Sequence, residues 1–237
     1  DDNDPDNVDY YTNIPPGGNY YHENYVRTSG VTGKLTANIA TAYKNKLFLG
    51  LNLNAHFTDY VKSTSVYESN NNELYTSGLT VTDIQFNNDL YTYGTGFSMN
   101  LGAIYKFTDN FRAGIAYESP TWYQLNDELS QRLITRTSDG TNIRQRDITP
   151  QIINIYESYK IQTPSKWTLS GAYIFGKKGL ISVNYATKDY SNIKFKPTND
   201  SFFSDLNSQM RSQFKNAMEL RIGGEYKIKQ WSLRGGD

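Results

Sequence analysis

The sequence predicts an all-β protein whose antiparallel strands form a transmembrane β-barrel, and three observations support this prediction. Apolar and polar residues alternate in runs about as long as the roughly 9 to 11 residues with which a tilted strand crosses a bilayer. Short turns join these runs in pairs, whereas long polar segments separate the pairs. Aromatic residues, among them 20 tyrosines, make up 14% of the chain, and they occur at the ends of the runs, where membrane interfaces would lie.

The composition fits a barrel better than a soluble domain. Only 37% of the 237 residues are hydrophobic and the mean hydropathy is −0.66, so we do not expect a large dry core. A barrel avoids this limit because its apolar surface faces lipid and its interior can be polar. The 24 basic and 24 acidic residues balance, which gives no reason to expect nucleic acid as a partner.

The N-terminal third predicts one loop and one hairpin. Residues 1–30 are rich in Asp, Asn, Pro and Gly and predict an extracellular loop. The first hairpin follows at about residues 34–58, with a turn at residues 44–46. Its second strand has the most regular alternation in the chain, because every second residue from Leu47 to Phe57 is apolar.

Three further hairpins are predicted at about residues 96–118, 167–187 and 218–237. In the first of these, Phe97 and Leu101 share one face while Asn100 and Lys106 share the other. Short turns on the periplasmic side and long loops outside are the topology of an outer-membrane barrel. The last strand is short and the first loop requires an earlier strand, so we interpret the chain as about eight strands of a larger barrel.

Two segments of the long connections predict short amphipathic helices. Leu125, Leu129 and Leu133 recur at a spacing of four residues, and so do Phe202, Leu206, Met210 and Phe214, with Thr198 or Ser201 as the N-cap. One interpretation is that these apolar stripes pack on neighbouring loops and cover the barrel. The other is that they bind a hydrophobic ligand, and the two interpretations are compatible.

The ordered set of strand motifs resembles the FadL/TodX family of outer-membrane transporters, in a Bacteroidetes-type version. The resemblance rests on residues 93–107, 115–120, 163–173, 220–226 and 231–234. It implies a fourteen-stranded barrel in the outer membrane of a Gram-negative bacterium, plugged by an N-terminal hatch domain. It also implies capture of the ligand between extracellular loops, transfer to an inner pocket and sideways exit through the wall. The hatch and the remaining strands would lie outside this sequence.

Basic residues on the polar strand faces are candidates for binding an anionic head group. Arg112, Arg221 and Lys106 are the candidates, because a charge-assisted hydrogen bond is about twice as strong as a neutral one. The alternative is that each forms an ion pair with a carboxylate of the interior, such as Glu219. Phe48 and Ile104 interrupt the polar face and are candidates for contacting an apolar tail. Glu118 departs from the basic residue that is common at this position of the family, which argues against a simple cationic clamp there.

The sequence predicts neither an enzyme, a cofactor nor a metal site. The chain has no cysteine, and its two histidines, His22 and His56, have no spacing typical of a metal site. Asp2, Asp4 and Asp6 alternate as in a calcium loop, but the glycine and glutamate that such a loop requires are absent, so a solvated acidic loop is preferred.

The function predicted from these features is passive outer-membrane transport of hydrophobic or amphiphilic small molecules such as long-chain fatty acids. The expected partners are these compounds, outer-membrane lipid and lipopolysaccharide. The alternative is a FadL-like barrel that does not transport and acts as a structural subunit of an outer-membrane protein assembly, for example in secretion. A soluble all-β binding protein is the third hypothesis, and exposed leucine-rich strand faces argue against it.

Overall fold

Thirteen strands in one sheet account for most of the computed structural model, which describes residues 12–237. The first seven are β1 Tyr20–Tyr43, β2 Leu47–Asn70, β3 Thr80–Lys106, β4 Phe111–Glu118, β5 Trp122–Ser138, β6 Ile143–Ile148 and β7 Ile153–Ile155. The others are β8 Tyr159–Gln162, β9 Lys166–Ile174, β10 Gly179–Asp189, β11 Lys194–Lys196, β12 Asn216–Ile228 and β13 Trp231–Gly236. A 3₁₀ turn at Tyr190–Asn192 and helix α1 at Ser201–Gln213 complete the structure. The predicted all-β antiparallel fold class is confirmed.

The strands pair both with sequence neighbours and with strands farther along the chain. β1 pairs with β2, β2 with β3, β3 with β4, β9 with β10, β10 with β12, and β12 with β13. β4 pairs with β9 in addition, because the chain between them forms β5 to β8. No helix among residues 12–237 has the length and apolar character needed to cross a bilayer.

The chain divides into two units, which are described separately. Unit 1 contains residues up to Gly30 together with residues 60–92 and 127–156, and unit 2 contains residues 31–59, 93–126 and 157–237. β1, β2, β3 and β5 contribute residues to both units.

Unit 2 has one apolar and one polar sheet face. Ile115 lies opposite Leu169, Leu169 opposite Tyr185, and Tyr185 opposite Leu220, and directly opposed residues share a face. Most large side chains of this apolar face are exposed, by 36% for Tyr185 and up to 70% for Leu35. Aromatic residues occupy its end near the turns, namely Tyr43, Tyr105, Phe107, Phe111, Tyr173, Phe175, Tyr226 and Trp231.

Two prolines interrupt the sheet of unit 2 at one level. Pro120 lies between β4 and β5, and Pro164 lies between β8 and β9. Since proline has no N–H, neither residue can donate to the ladder. Threonines beside the two prolines still hydrogen-bond the two segments to each other. Thr163 N–H donates to the carbonyl of Thr121 at 3.0 Å, and Thr121 N–H donates to Thr163 Oγ1 at 2.8 Å.

The alternation of faces shifts by one residue at the Pro120 break. In β4 the even-numbered residues lie on the polar face, whereas in β5 Tyr123 contacts His56 of that face. A Cβ on Gly96 would lie 2.7 Å from Tyr123 Cδ1, and a Cβ on Gly94 would lie 2.9 Å from Leu125 Cδ2. Gly94 and Gly96 therefore leave the room that the shifted side chains occupy.

Unit 1 consists of strand segments held together by polar contacts. Tyr20 Oη donates to the carbonyl of Pro15 at 2.7 Å, and Tyr75 Oη donates to that of Ile14 at 3.1 Å. Its ion pairs are Arg132 with Asp147, Arg136 with Asp83 at 3.5 Å, Arg144 with Asp139 at 3.8 Å, and His22 with Glu68 at 3.0 Å.

Helix α1 lies against β11 in unit 2. The Asn207 side chain accepts from Phe195 N–H at 2.7 Å and donates to the Phe195 carbonyl at 2.9 Å. Phe203 stacks on Phe195 with ring centroids 5.9 Å apart. The predicted helix is thus present, but its N-cap is Asp200, whose carboxylate accepts from Phe203 N–H at 3.2 Å.

Two sequence predictions are wrong. The segment with Leu125, Leu129 and Leu133 is strand β5, not a helix. A spacing of four residues places side chains on one face of a helix and also on one face of a strand, so this spacing did not discriminate between the two structures. Residues 1–30 are not all loop, because β1 begins at Tyr20. Residues 20–30 are exposed on both faces of the strand, so they show no alternation of apolar and polar residues from which a strand could be predicted. The first part of the predicted loop, including Asp2, Asp4 and Asp6, lies outside the described residues.

Candidate ligand-binding site

The polar face of unit 2 contains an apolar concavity, which we call the cradle. It has a volume of about 330 Å³ and lies between β2, β3, β4 and β9. Phe48 and Ile104 form its apolar walls. Its base is made of small residues and its rim of hydroxyl groups, namely Gly50, Gly102, Gly114, Ala116, Thr168 and Ser170.

Glycines make the cradle concave. A Cβ on Gly50 or Gly102 would meet no heavy atom within 4 Å, so these positions open space above the sheet. Gly114 is required for a different reason, since a Cβ there would lie 2.7 Å from Ser170 Oγ and 3.2 Å from Ile104 Cγ1. An apolar surface on an otherwise polar face therefore depends on residues from four strands.

A second concavity, the cationic pocket, adjoins the cradle. It has a volume of about 230 Å³ and is lined by Lys166, Thr168, Asn184, Ala186, Glu219 and Arg221. Thr168 lines both concavities. Because the two concavities share Thr168, we treat them together as the ligand groove, which has an apolar part and a polar part.

The cationic pocket has more positive than negative charge. Glu219 forms ion pairs with Arg221 and with Lys166, whose Nζ lies 3.9 Å from the Glu219 carboxylate. Lys166 also lies opposite Glu118 on β4 and opposite Lys188 on β10. Among the residues that line the pocket, two cations accompany one carboxylate. Because the Arg221 side chain is 68% exposed, its guanidinium can donate to a further anion.

A polar cluster lies on the same face near the Pro120 break. Asn54, which is only 2% exposed, donates through Nδ2 to Asn100 Oδ1 at 2.6 Å and to Ser98 Oγ at 3.1 Å. His56 Nε2 lies 2.8 Å from Ser98 Oγ, and its Nδ1 lies 3.4 Å from Tyr123 Oη. The cluster joins β2, β3 and β5 through side chains where the strand pairing is interrupted.

The candidate anion-binding residues Arg112 and Arg221 have different environments. Arg221 lines the cationic pocket and forms the ion pair with Glu219 that was the alternative prediction. Arg112 lies opposite Lys106 on the side of the turns, and among residues 12–237 no ion pair joins it to a carboxylate. Lys106 Nζ lies 4.8 Å from the centroid of the Phe48 ring, which is a cation–π contact at the edge of the cradle.

The structure does not bring the candidate leucines together with these residues. Leu125 is buried in unit 2 with its side chain beside Gly94. Leu129 and Leu133 belong to unit 1, where they lie opposite Asn154 and Ile148 respectively. A ligand-binding role of the three as one stripe stays a prediction without support from their placement.

The candidate residues of the second stripe lie on helix α1. Phe202 is 67% exposed and contacts Phe203, while Leu206 and Met210 are partly buried. Asn207 and Phe203 are the helix residues that contact Phe195 of β11 and hold α1 in place. Phe202 is thus available for a ligand, and the ligand-binding role of Phe202, Leu206 and Met210 stays a prediction.

Sequence reasoning named only part of the groove. It identified Phe48, Ile104 and Arg221 but not Lys166, Thr168, Asn184 or the glycines of the cradle. The alternation of apolar and polar residues could have identified some of them, because it places Gly102, Gly114 and Ser170 on the polar face of neighbouring strands. Their proximity to Arg221 depends on strand register, which the alternation alone does not determine.

Comparison with known proteins assigns the chain to a family. A family model described as outer membrane protein transport protein (OMPP1/FadL/TodX) matches residues 10–237. Among curated protein sequences, none matches the chain.

Solved structures of two toluene transporters and a mutant are also similar. TbuX of Ralstonia pickettii has 15% identity and a TM-score of 0.47, with 94% of this chain and 66% of TbuX covered. TodX of Pseudomonas putida has 12% identity and a TM-score of 0.39, with 94% of this chain and 75% of TodX covered. The monoaromatic hydrocarbon channel mutant TodX deltaS2S3 has 13% identity and a TM-score of 0.38, with the same coverage.

The family match has consequences for location and activity class. Proteins of this family are β-barrels of the Gram-negative outer membrane, and they are transporters, not enzymes. The chain belongs to the OMPP1/FadL/TodX family of outer-membrane transport proteins.

Proposed function

We propose that the protein transports hydrophobic or amphiphilic small molecules passively across the outer membrane, and that long-chain fatty acids are among its ligands. In a barrel of this family the apolar face meets lipid and the polar face lines the interior. The groove formed by the cradle and the cationic pocket therefore faces the transport route. A Bacteroidetes-type origin stays a prediction.

One row of opposed residues carries this proposal. Ile104 lies opposite Gly114, Gly114 opposite Ser170, Ser170 opposite Asn184, and Asn184 opposite Arg221. The row changes from apolar through small and hydroxyl residues to an amide and a cation. Since neighbouring strands are about 4.8 Å apart, its four steps extend over roughly 19 Å. That length suits a ligand with a long apolar tail and an anionic head.

Palmitate and hexadecanol test this proposal, because they share a 16-carbon chain and differ in the charge of the head group. In the full-length protein we expect Arg221→Gln to weaken palmitate binding about tenfold, since a hydrogen bond to a charged group contributes roughly 1.5–3 kcal/mol. Hexadecanol binding should not change. Gly102→Leu should weaken both ligands, because the new side chain fills the cradle. Calorimetric titration in detergent and uptake into proteoliposomes measure the two effects.

Lys227→Gln is the matched control. Lys227 lies on β12, as Arg221 does, and its Nζ is 3.9 Å from Glu225, but it lines neither concavity. Equal loss of palmitate and hexadecanol in Arg221→Gln would contradict the head-group role. Wild-type uptake of both compounds by Gly102→Leu would contradict transport along this groove.

One observation favours the alternative role as a subunit of a protein assembly. Within the described residues β6 and β7 each pair only with β5, and their isoleucines are exposed, by 73% for Ile143 and for Ile155. An open strand edge with apolar side chains can accept a strand of another protein. The role predicts a stable outer-membrane partner that co-purifies with the wild type and is lost in the double variant Ile143→Lys, Ile155→Lys. Palmitate binding with no co-purifying partner would count against it.

A further inference from the structure

The apolar face of unit 2 contains a groove that the transport proposal does not use. It has a volume of about 460 Å³, within the range of small-molecule sites. Apolar residues of β1, β2, β3 and β4 form its walls, among them Ile39, Leu49, Leu101 and Ile115. The groove is thus a concave region in a surface that meets the hydrocarbon of the membrane.

A small residue creates this concavity. Ala103 lies opposite Ile115, and Leu101, its neighbour on the same face, lies opposite Tyr117. The larger side chains stand around the methyl group of Ala103, while Gly50 and Gly102 beneath it add no side chain. Lipid-facing side chains of similar size would give a smooth surface, whereas this arrangement leaves a depression.

Two aromatic residues close the end of the groove that is nearer the long connections. Tyr117 lies opposite Trp167, and their ring centroids are 4.5 Å apart. Tyrosine and tryptophan favour the membrane interface because their rings are apolar and each has one polar group. No hydrogen bond within residues 12–237 uses the Tyr117 hydroxyl or the Trp167 indole N–H, so both can donate to a lipid head group.

We propose that this groove binds one acyl chain of an outer-membrane lipid, with the lipid head group at the level of Tyr117 and Trp167. At this depth the surroundings are hydrocarbon, so a flexible apolar chain is the molecule available to fill the depression and restore van der Waals contact. A chain held between fixed walls exchanges more slowly than lipid on a flat surface. The site is on the opposite face from the ligand groove and does not depend on the transport proposal.

Native mass spectrometry of the full-length protein tests this site. The protein in a mild non-ionic detergent is titrated with dipalmitoyl phosphatidylethanolamine, and the bound lipid is counted. We expect one saturable lipid in the wild type. Ala103→Trp should weaken its binding about tenfold, because the indole occupies the groove and removes the apolar area that the chain would cover. Ala103→Leu should have the same effect to a smaller extent, and it is the substitute if the tryptophan variant does not fold.

Ala113→Trp is the matched control, since Ala113 lies on β4 opposite Tyr105 and Gly171, outside the groove. It should keep the wild-type lipid affinity. Unchanged lipid binding in both Ala103 variants, or equal loss in Ala113→Trp, would overturn the proposal. So would a wild type that binds lipid without saturation. Arg221→Gln lies outside this groove and should keep the wild-type lipid affinity while it weakens palmitate binding, which separates failure of this site from failure of the transport proposal.

Discussion

Unit 1 and unit 2 share long strands but differ in how their side chains are arranged. In unit 2, apolar and polar residues alternate so regularly that one face is apolar across β1, β2, β3, β4, β9, β10, β12 and β13. In unit 1, consecutive residues such as Tyr25 and Val26, or Ile152 and Ile153, are all exposed. Alternation of apolar and polar residues therefore reflects the surroundings of each strand face more than the strand conformation itself.

The two units also differ in the contacts that stabilise them. Lipid around the apolar face of unit 2 removes that face from water, which stabilises the unit without a large core; among residues 12–237 only Leu125 and Ala186 are buried hydrophobic residues. Unit 1 depends on hydrogen bonds and on ion pairs, and the exposed ion pairs each contribute little. A substitution should therefore have a different effect according to the unit in which it is made.

A lysine on the apolar face should give the largest effect. Ile222 lies in the middle of β12 and is opposite Val183. Ile222→Lys places a charge in hydrocarbon and should lower the free energy of unfolding by about 2–4 kcal/mol. Urea unfolding into lipid vesicles measures this change.

Ile155→Lys in unit 1 is the control, because Ile155 is 73% exposed. Its effect should stay within about 0.5 kcal/mol. Similar losses of the free energy of unfolding in the two variants would mean that Ile222 does not face lipid. They would also contradict the proposed difference between the two units.

An added methyl group at Gly94 should have a smaller effect. The Cβ of Gly94→Ala would meet the carbonyl of Gln124 and lie 2.9 Å from Leu125 Cδ2, so the backbone must shift at a cost of about 1–3 kcal/mol. The same unfolding assay measures the loss. Gly171→Ala, whose Cβ meets nothing within 4 Å, should be nearly neutral. Equal stability of the two variants would contradict the shift of strand faces at the Pro120 break.

The smallest effect should be a pH dependence in unit 1. Hydrogen bonds from Arg132 Nε at 2.9 Å and Thr149 Oγ1 at 2.8 Å hold the pKa of Asp147 at about 2, below its ordinary value of 3.8. The ion pair therefore contributes fully above pH 3.8 and loses its contribution as the pH falls through about 2. Amide exchange of β6 at pH 5 and pH 2 should show a smaller pH effect in Asp147→Asn than in the wild type.

Arg132→Gln should reduce the pH effect in the same way, since it removes the main donor to Asp147. The double variant Arg132→Gln, Asp147→Asn should show the same pH effect on amide exchange as either single variant. A wild-type pH response in Asp147→Asn would show that another carboxylate is responsible.

Local patterns were sufficient for the turns and the transmembrane parts of the strands. The turns after Tyr43, Lys106, Ile174 and Ile228 lie where the alternation places them. Each is determined by residues near in sequence and by a period of two. The α1 helix was also predictable, because the spacing of Phe202, Leu206 and Met210 coincides with a cap and a polar flank.

The extensions of the strands in unit 1 were not predictable in this way. β1 begins at Tyr20 and β3 at Thr80, in segments whose polar residues indicate loops. These segments are polar on both faces, so they show no alternation of apolar and polar residues, and pairing with the neighbouring strand decides the conformation. β5 was not predicted for a different reason, since its leucine spacing fits a strand face as well as a helix face.

The strand period, the short turns and the two kinds of face could be predicted from sequence, because a period of two and a tight turn are each recognisable from residues close along the chain. Which residues of the polar face lie next to each other depends on how the strands pair. Ile104 and Arg221 belong to one row only because four successive registers align them. A slip of one residue in any register would move the side chains to the opposite face, so the ligand groove and the lipid groove are both products of strand pairing.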